Sequence, residues 1–132
     1  MAAQATATFK IKSWDEDRYD ELGDGAGLSR ASVTQAFSGD IEGDGSVQWL
    51  MCYRPDKTAD FVGLQRLTGK IGGRAGTVVL TTVGVFDGRE ARGEWTIVPG
   101  SGTDQLVGVR GEGGFNAPMG GEPAAQLEYA FE

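Results

Sequence analysis

Hydrophobic and polar residues alternate along most of this chain, and turn-forming residues interrupt the alternation at short intervals. In the segment ATFKIKSW, residues 7–14, Phe9 and Ile11 alternate with Lys10 and Lys12. A repeat of two residues places successive side chains on opposite faces of a β-strand, whereas a helix repeats every 3.6 residues. The pattern therefore predicts antiparallel strands joined by tight turns.

Eight segments carry the strand pattern, and no helical stretch of comparable strength occurs. Turn signals separate them, including GDGS at 43–46, IGGR at 71–74 and Asp87-Gly88. Many short strands at such spacing are typical of a β-barrel or a β-sandwich. The predicted strands are 7–14, 31–38, 46–53, 60–69, 76–86, 91–98, 105–111 and 126–132.

Glycines share strand faces with large side chains in this pattern, as Gly63 does with Leu67 and Gly93 with Trp95. If that face points inward, the glycines relieve crowding where aromatic rings fill the interior. The charged segment 15–27, DEDRYDELGDGAG, lacks the alternation and is interpreted as an irregular flap across an open end. The aromatic residues expected to point inward are Phe9, Phe37, Trp49, Tyr53, Trp95, Tyr129 and Phe131.

Length and composition are those of one folded domain, residues 1–132. Hydrophobic residues make up 39% of the chain and charged residues 23%, which is ordinary for a globular protein. The outlier is glycine, with 22 residues against only 4 prolines. This excess favours tight turns and close approaches between strands, as small barrels require.

Charge and cysteine content restrict the partners and the compartment. Twelve basic and 19 acidic residues give a net charge of −7, which repels nucleic acids and anionic membrane surfaces. No signal-peptide pattern precedes the first strand, and the longest apolar run, residues 49–53, is too short to span a bilayer. The single Cys52 has no partner for a disulfide, so we expect a reducing, cytoplasmic location.

Two motifs imitate binding loops, and both are incomplete. The glycine-rich GVRGEGGF, residues 108–115, resembles a phosphate-binding loop, but no G-x-G-x-x-G spacing and no following helix accompany it. The segment 40–51 imitates a calcium loop, but Met51 replaces its closing carboxylate.

The chain has no histidine, which excludes serine–histidine and cysteine–histidine nucleophiles. We therefore predict neither a metal nor a cofactor.

Two polar positions stand out as binding candidates. Gln65 shares the predicted inward face, so its amide needs a buried partner, either a neighbour such as Tyr53 or Tyr129 or a bound ligand. Arg110 and Glu112 lie on one face of a predicted strand. They could position a polar ligand group at a barrel mouth, or they could simply pair at the surface.

Several segments together resemble a known family. They are TFKIKSWDED (8–17), WLMCYRPD (49–56), FVGLQRLTG (61–69) and GEWTIVPGSGTDQLVGVRGEGGF (93–115). In this order they are similar to the bacterial domain of unknown function numbered 3224, over nearly the full chain. The resemblance implies an all-β fold, the eight-stranded antiparallel barrel of the allene oxide cyclase-like superfamily. It also implies that residues 108–115 form a strand and the turn toward the last strand.

Three functions are compatible with this sequence. The first is a barrel that binds a small, largely apolar or aromatic organic molecule. The second, which the resemblance suggests, is a cofactor-free cyclase or isomerase that polarises a carbonyl or epoxide oxygen; the catalytic residues of such an enzyme are not assigned. The third is a structural or oligomerising barrel with a packed interior. Under all three interpretations the chain could be a monomer or a homodimer. The predicted ligand-binding residues are Trp49, Tyr53, Gln65, Trp95, Arg110 and Tyr129.

Overall fold

Eight β-strands account for most of residues 2–132, the part of the chain that the structure, a computed structural model, describes. A single 3-10 turn, Asp104–Leu106, is the only helical element among these residues. The strands are β1 (Ala3–Gly23), β2 (Ala26–Gly39), β3 (Ile41–Tyr53), β4 (Ala59–Ile71), β5 (Arg74–Phe86), β6 (Glu90–Ile97), β7 (Val109–Pro118) and β8 (Ala124–Phe131).

The sheet closes on itself. Each strand pairs antiparallel with the next, and β1 pairs with β8 through residues such as Ala5 opposite Leu127. Closure leaves the inward residues of all eight strands facing one shared lumen. The predicted all-β fold, an eight-stranded antiparallel barrel with little helix, is confirmed.

Aromatic rings fill the middle of the lumen. Trp95 is 1% exposed and lies 6.1 Å from Phe37 and 6.0 Å from Phe115, measured between ring centroids. Phe9 and Trp49 are also buried, so their predicted inward orientation is confirmed. The predicted inward residues at the strand ends, Tyr53, Tyr129 and Phe131, are only partly buried against this core.

Glycines on neighbouring strands make room for these rings. A Cβ atom added at Gly93 would overlap the Phe115 ring, and Phe115 is the cross-strand partner of Gly93. The same relation holds between Gly63 and Trp49, where an added Cβ would lie 2.7 Å from the indole Cδ1. The expectation that inward glycines relieve crowding beside large rings is thus confirmed.

The irregular conformation predicted for residues 15–27 is wrong. This segment belongs to a long hairpin in which β1 continues to Gly23 and β2 begins at Ala26. Asp24 adopts a left-handed conformation at the tip, with φ of 55°, between two glycines. The strand pattern was hidden because β1 beyond Phe9 pairs only with β2, and nearly all its side chains here are exposed on both faces.

The seventh strand lies later than predicted. Residues 104–106 form the 3-10 turn, and β7 runs from Val109 to Pro118. Residues 108–115 therefore contain neither a phosphate loop nor a turn toward the last strand, because 109–115 are continuous strand. Glycines at the inward positions Gly111 and Gly113 remove the hydrophobic alternation that would have marked this strand.

Candidate functional site

One end of the lumen contains an apolar cavity of about 260 Å³. This is the end at which β3 finishes and β4 begins, and we call it the open end. The cavity walls are hydrophobic and aromatic side chains, among which Tyr53 contributes a polar hydroxyl group. The main lining residues are Trp49, Met51, Tyr53, Phe61, Phe86 and Phe115.

Three aromatic rings form a continuous cluster in the cavity wall. Phe115 stacks against Trp49 at 6.1 Å and against Phe61 at 6.2 Å, and Trp49 lies 5.2 Å from Phe61. Each ring packs over a glycine of a neighbouring strand. Trp49 lies over Gly63, Phe115 over Gly93 and Phe61 over Gly84. The wall is therefore preformed, as binding pockets usually are.

The distal part of the long hairpin covers one side of the cavity. We call residues 12–26 the arm. Trp14 in the arm lies 5.6 Å from Trp49 and lines the cavity, although 46% of its surface stays exposed. Farther along the arm, Glu16 accepts a hydrogen bond of 2.8 Å from the Tyr53 hydroxyl. The arm thus contacts β3 through the Trp14–Trp49 pair and the Glu16–Tyr53 hydrogen bond, and also through an ion pair of 3.1 Å between Lys12 and Asp44.

Tyr53 is electrostatically perturbed. Burial raises the pKa of its phenol to about 12, and the hydrogen bond and negative charge of Glu16 add to this, while Arg18 opposes it. The Arg18 guanidinium lies 5.5 Å from the centre of the Tyr53 ring, within cation–π range. At neutral pH the phenol is protonated and donates a hydrogen bond to Glu16, so it is not a base.

Gln65 and Trp95 lie in the lumen, away from the cavity wall. Gln65 is buried, and its Nε2 atom donates a 2.5 Å hydrogen bond to Oε1 of Gln35. Neither tyrosine expected as its neighbour, Tyr53 or Tyr129, is the partner. Gln35 lies on β2, opposite Gly45 of β3. Gly45 has no side chain, and both amides of the Gln35–Gln65 pair lie against it in the lumen.

Four buried polar atoms of the lumen have no hydrogen-bond partner among residues 2–132. They are the indole nitrogens of Trp49 and Trp95, Oε1 of Gln65 and the hydroxyl of Thr82. Three of these residues lie in one row across the sheet. Trp49 of β3 lies opposite Gly63 of β4, Gly63 lies opposite Thr82 of β5, and Thr82 lies opposite Trp95 of β6. Buried polar groups are nearly always paired in folded proteins, so this cluster requires an explanation.

The remaining two predicted residues are not part of the cavity. Arg110 lies on the outer surface of β7, where its Nε atom forms an ion pair of 3.0 Å with Glu132. Tyr129 lies at the opposite end of the barrel, where its ring packs against Phe131 and its hydroxyl approaches the turn at Gly72. Arg110 therefore pairs at the surface and does not position a ligand group at a barrel mouth, and its partner is Glu132.

Comparison with known proteins places the chain in a family. The model of the family "Protein of unknown function (DUF3224)" matches residues 5–129. This chain belongs to the DUF3224 family. A crystal structure of a DUF3224 protein of unknown function from Shewanella oneidensis MR-1, at 1.84 Å, is similar with a TM-score of 0.83 and 24% identity, over 100% of this chain and 99% of the other. The comparison with curated proteins finds no match.

Sequence reasoning missed much of the cavity of this DUF3224 chain. Phe61 and Phe86 share strand faces with Gln65 and Leu80, so extending the alternation would have found them. Trp14 and Glu16, by contrast, carry no such signal, because their segment has no periodic burial.

The chemistry available to this DUF3224 barrel is limited. The cavity offers apolar contact area and one phenol committed to Glu16; the Trp14 indole N–H also donates to Glu16, at 2.9 Å, and the Trp49 indole nitrogen is buried. No group of three or more acidic or cysteine side chains able to hold a metal lies within the described range 2–132. No helix in that same range is long and apolar enough to cross a membrane.

Proposed function

We propose that this protein binds a small, largely apolar organic molecule in the cavity at the open end of the barrel. The observation that carries the proposal is the preformed aromatic cavity of about 260 Å³. Small-molecule sites are concave, mainly apolar and enclose roughly 300–1,000 Å³, so this cavity of about 260 Å³ lies just below that range and suits a correspondingly small ligand. A void of this size favours binding over a purely structural barrel with a packed interior.

The unpaired indole of Trp49 supports a ligand that carries one oxygen. Trp49 lines the cavity, and its buried N–H has no acceptor among residues 2–132. A buried donor without a partner costs about 1–3 kcal/mol, which a carbonyl or hydroxyl oxygen of the ligand would recover once the indole turns its buried Nε1 atom toward the cavity. Tyr53 does not compete for this oxygen, because its hydroxyl is held by Glu16.

A thermal-shift series tests the binding function. Monocyclic aromatic and terpenoid alcohols and ketones of increasing size should raise the melting temperature, with the matching hydrocarbons giving a smaller rise. A ligand at 100 times its Kd adds about 2.7 kcal/mol to the free energy of unfolding. If no compound of the series stabilises the protein, the binding proposal is wrong.

A cavity-filling variant locates the site. Ala117 lines the cavity, so Ala117→Leu should abolish the ligand-induced shift by occupying the space. The matched control is Ala124→Leu, which adds the same atoms at an exposed position on β8 and should leave the shift unchanged. Equal shifts in both variants would mean that the ligand binds elsewhere.

A cofactor-free cyclase or isomerase of the allene oxide cyclase-like type is the second candidate. The raised pKa of Tyr53, about 12, favours it, because the phenol stays protonated at the cavity wall and, once it turns from Glu16 to the substrate, donates its hydrogen bond to a developing negative charge on a substrate oxygen. Incubation with small unsaturated epoxides, followed by chiral product analysis, tests this activity. Tyr53→Phe should reduce turnover while leaving the binding of a saturated analogue intact. A racemic product at the uncatalysed rate rules the activity out.

The charge and the thiol support a cytoplasmic site of action. Cys52 is free and exposed, and exposed thiols persist in reducing compartments. A net charge of −7 disfavours nucleic acid as an alternative partner. Fractionation of the source cell with an antibody to the protein would locate it.

A further inference from the structure

The outer surface of three adjacent strands carries a continuous apolar patch. Its five aliphatic side chains are between 38% and 56% exposed, and they adjoin through cross-strand pairs such as Leu50 with Val62 and Val62 with Val83. Contiguous apolar surface of this kind marks an interaction site. We call this patch the outer apolar face; it consists of Leu50, Val62, Leu64, Val83 and Val85.

The rest of the barrel exterior differs in character. Outward positions on β6 and β7 carry charges, as at Arg92, Glu94, Arg110 and Glu112. The strands of the apolar face, β3 to β5, are hydrogen-bonded on both sides within the closed sheet. A partner therefore cannot add a strand to an edge here and must dock a surface onto the face.

We propose that the outer apolar face is the interface of a symmetric homodimer in which the two β4 strands pack face to face and antiparallel. The outward residues of β4 read Asp60, Val62, Leu64 and Arg66. In a two-fold antiparallel arrangement centred between Val62 and Leu64, Asp60 faces Arg66 of the partner subunit. This inference does not depend on the proposed ligand.

Charge selects this arrangement over the alternative. A two-fold axis along the strands would set the strands parallel and place Asp60 against Asp60 of the partner subunit, which is repulsive. The antiparallel axis instead gives two opposite-charge pairs that flank an apolar centre, the usual anatomy of an interface. Arg66 forms no ion pair among residues 2–132, whereas Asp60 already pairs with Arg54 at 2.6 Å. Arg66 is therefore free to join this acidic site across the interface.

Sedimentation equilibrium tests the dimer. The wild-type chain of 13.9 kDa should sediment at twice that mass, and Val62→Glu should raise the dimer dissociation constant at least about tenfold. Val107→Glu is the matched control, because Val107 is exposed in a loop outside the face. A wild-type monomer at millimolar concentration, an assembly other than a dimer, or a dimer that survives Val62→Glu overturns the proposal.

Charge reversal tests the orientation. Arg66→Asp and Asp60→Arg should each weaken the dimer, because each places like charges opposite one another. The double variant restores opposite charges and should restore dimerisation to within about threefold of wild type. Failure of the double variant to recover rules out the antiparallel packing.

Cross-linking provides a readout that does not weaken the interface. Ser46 lies opposite Arg66 on the neighbouring strand, and Cys52 lies opposite Asp60. The antiparallel packing therefore brings residue 46 of one subunit over Cys52 of the other, although the two are about 20 Å apart within a chain. A short bis-maleimide should cross-link Ser46→Cys into dimers and leave the wild type, with Cys52 alone, as monomers. The reverse result overturns the proposal.

Discussion

The two ends of the barrel are made by the same strands, yet one end is open and the other is filled. The open end holds the cavity of about 260 Å³, whereas the void at the opposite end is about 10 Å³. Ile41, Leu67, Ile71 and Leu106 close that filled end. The alternating pattern of the strands explains why there is a lumen, but it does not explain why only one end of the lumen contains a cavity.

The connections between strands make the difference. At the filled end, the β6–β7 connection folds under the barrel, and its 3-10 turn inserts Leu106, which is 1% exposed. Thr103 and Ser101 fasten this connection to the backbone of β5 through hydrogen bonds of 2.9 and 3.0 Å. At the open end no turn residue among residues 2–132 lines the cavity, and the arm covers one side of it. The cavity therefore lies at the end of the barrel where no connection between strands fills the lumen.

Trp95→Ala should have the largest effect, because this ring joins the two ends. Trp95 packs against Phe37 toward the filled end and against Phe115 at the cavity wall. Its removal should lower the free energy of unfolding by about 3–5 kcal/mol, measured by denaturant titration followed by circular dichroism. Trp14→Ala, in the exposed arm, should cost far less. A loss below about 0.5 kcal/mol for Trp95→Ala would show that the two ends are not coupled through this ring.

Leu106→Ala should remove the plug of the filled end. Deleting a fully enclosed leucine costs about 2–5 kcal/mol, and the cost grows with the cavity that remains. Met51→Ala, at the wall of the open end, should cost less, because part of that side chain already faces a void. Parallel denaturant titrations compare the two variants. Equal losses would mean that both ends are packed alike.

Two glycine substitutions sharpen the same comparison by overpacking. A Cβ at Gly76 would overlap the backbone carbonyl of Thr103 in the connection that closes the filled end. A Cβ at Gly93 would overlap the Phe115 ring, which can shift into the cavity. Overpacking costs about 1–3 kcal/mol, so Gly76→Ala should lie at the upper end and Gly93→Ala at the lower. Thermal unfolding measures both variants. A larger loss of stability for Gly93→Ala than for Gly76→Ala would contradict the comparison of the two ends.

The fold could be predicted because burial on one face of each strand leaves its mark in the sequence. Trp49 and Tyr53 were assigned to the ligand site by that alternation, and both line the cavity. The alternation alone could not distinguish them from Trp95 and Tyr129, because it specifies which face points inward but not the height along the barrel axis. Height depends on strand register, which is set by the closed sheet as a whole.

The arm could not be predicted for a different reason. Its strands form a two-stranded ribbon with water on both faces, so no hydrophobic period identifies them. Glu16 acts on Tyr53 only through long-range contact across 37 residues of sequence. The contribution of the arm to the cavity therefore depended on three-dimensional information that no local pattern contains.

Tyr53→Phe should have the smallest effect and separates the arm from the open end. The substitution removes the hydrogen bond to Glu16 and leaves the ring in the cavity wall, so the free energy of unfolding should fall by about 0.5–1.5 kcal/mol. Glu16→Gln, which keeps an acceptor but removes the charge, should cost less. If Glu16→Gln costs as much as Tyr53→Phe, then the carboxylate charge, rather than the hydrogen bond, fixes the arm.

The pH dependence of this contact has a definite sign. Burial and Glu16 raise the pKa of Tyr53 from 10.0 to about 12, so the folded state holds the phenolic proton more tightly than the unfolded state does. The stabilisation is therefore complete below pH 10 and is lost as the pH rises from 10 toward 12. The stability difference between wild type and Tyr53→Phe should shrink across that window. The difference in tyrosinate absorbance between wild type and Tyr53→Phe should report a phenol that ionises near pH 12, and ionisation near pH 10 would mean that the arm does not shield Tyr53 from water.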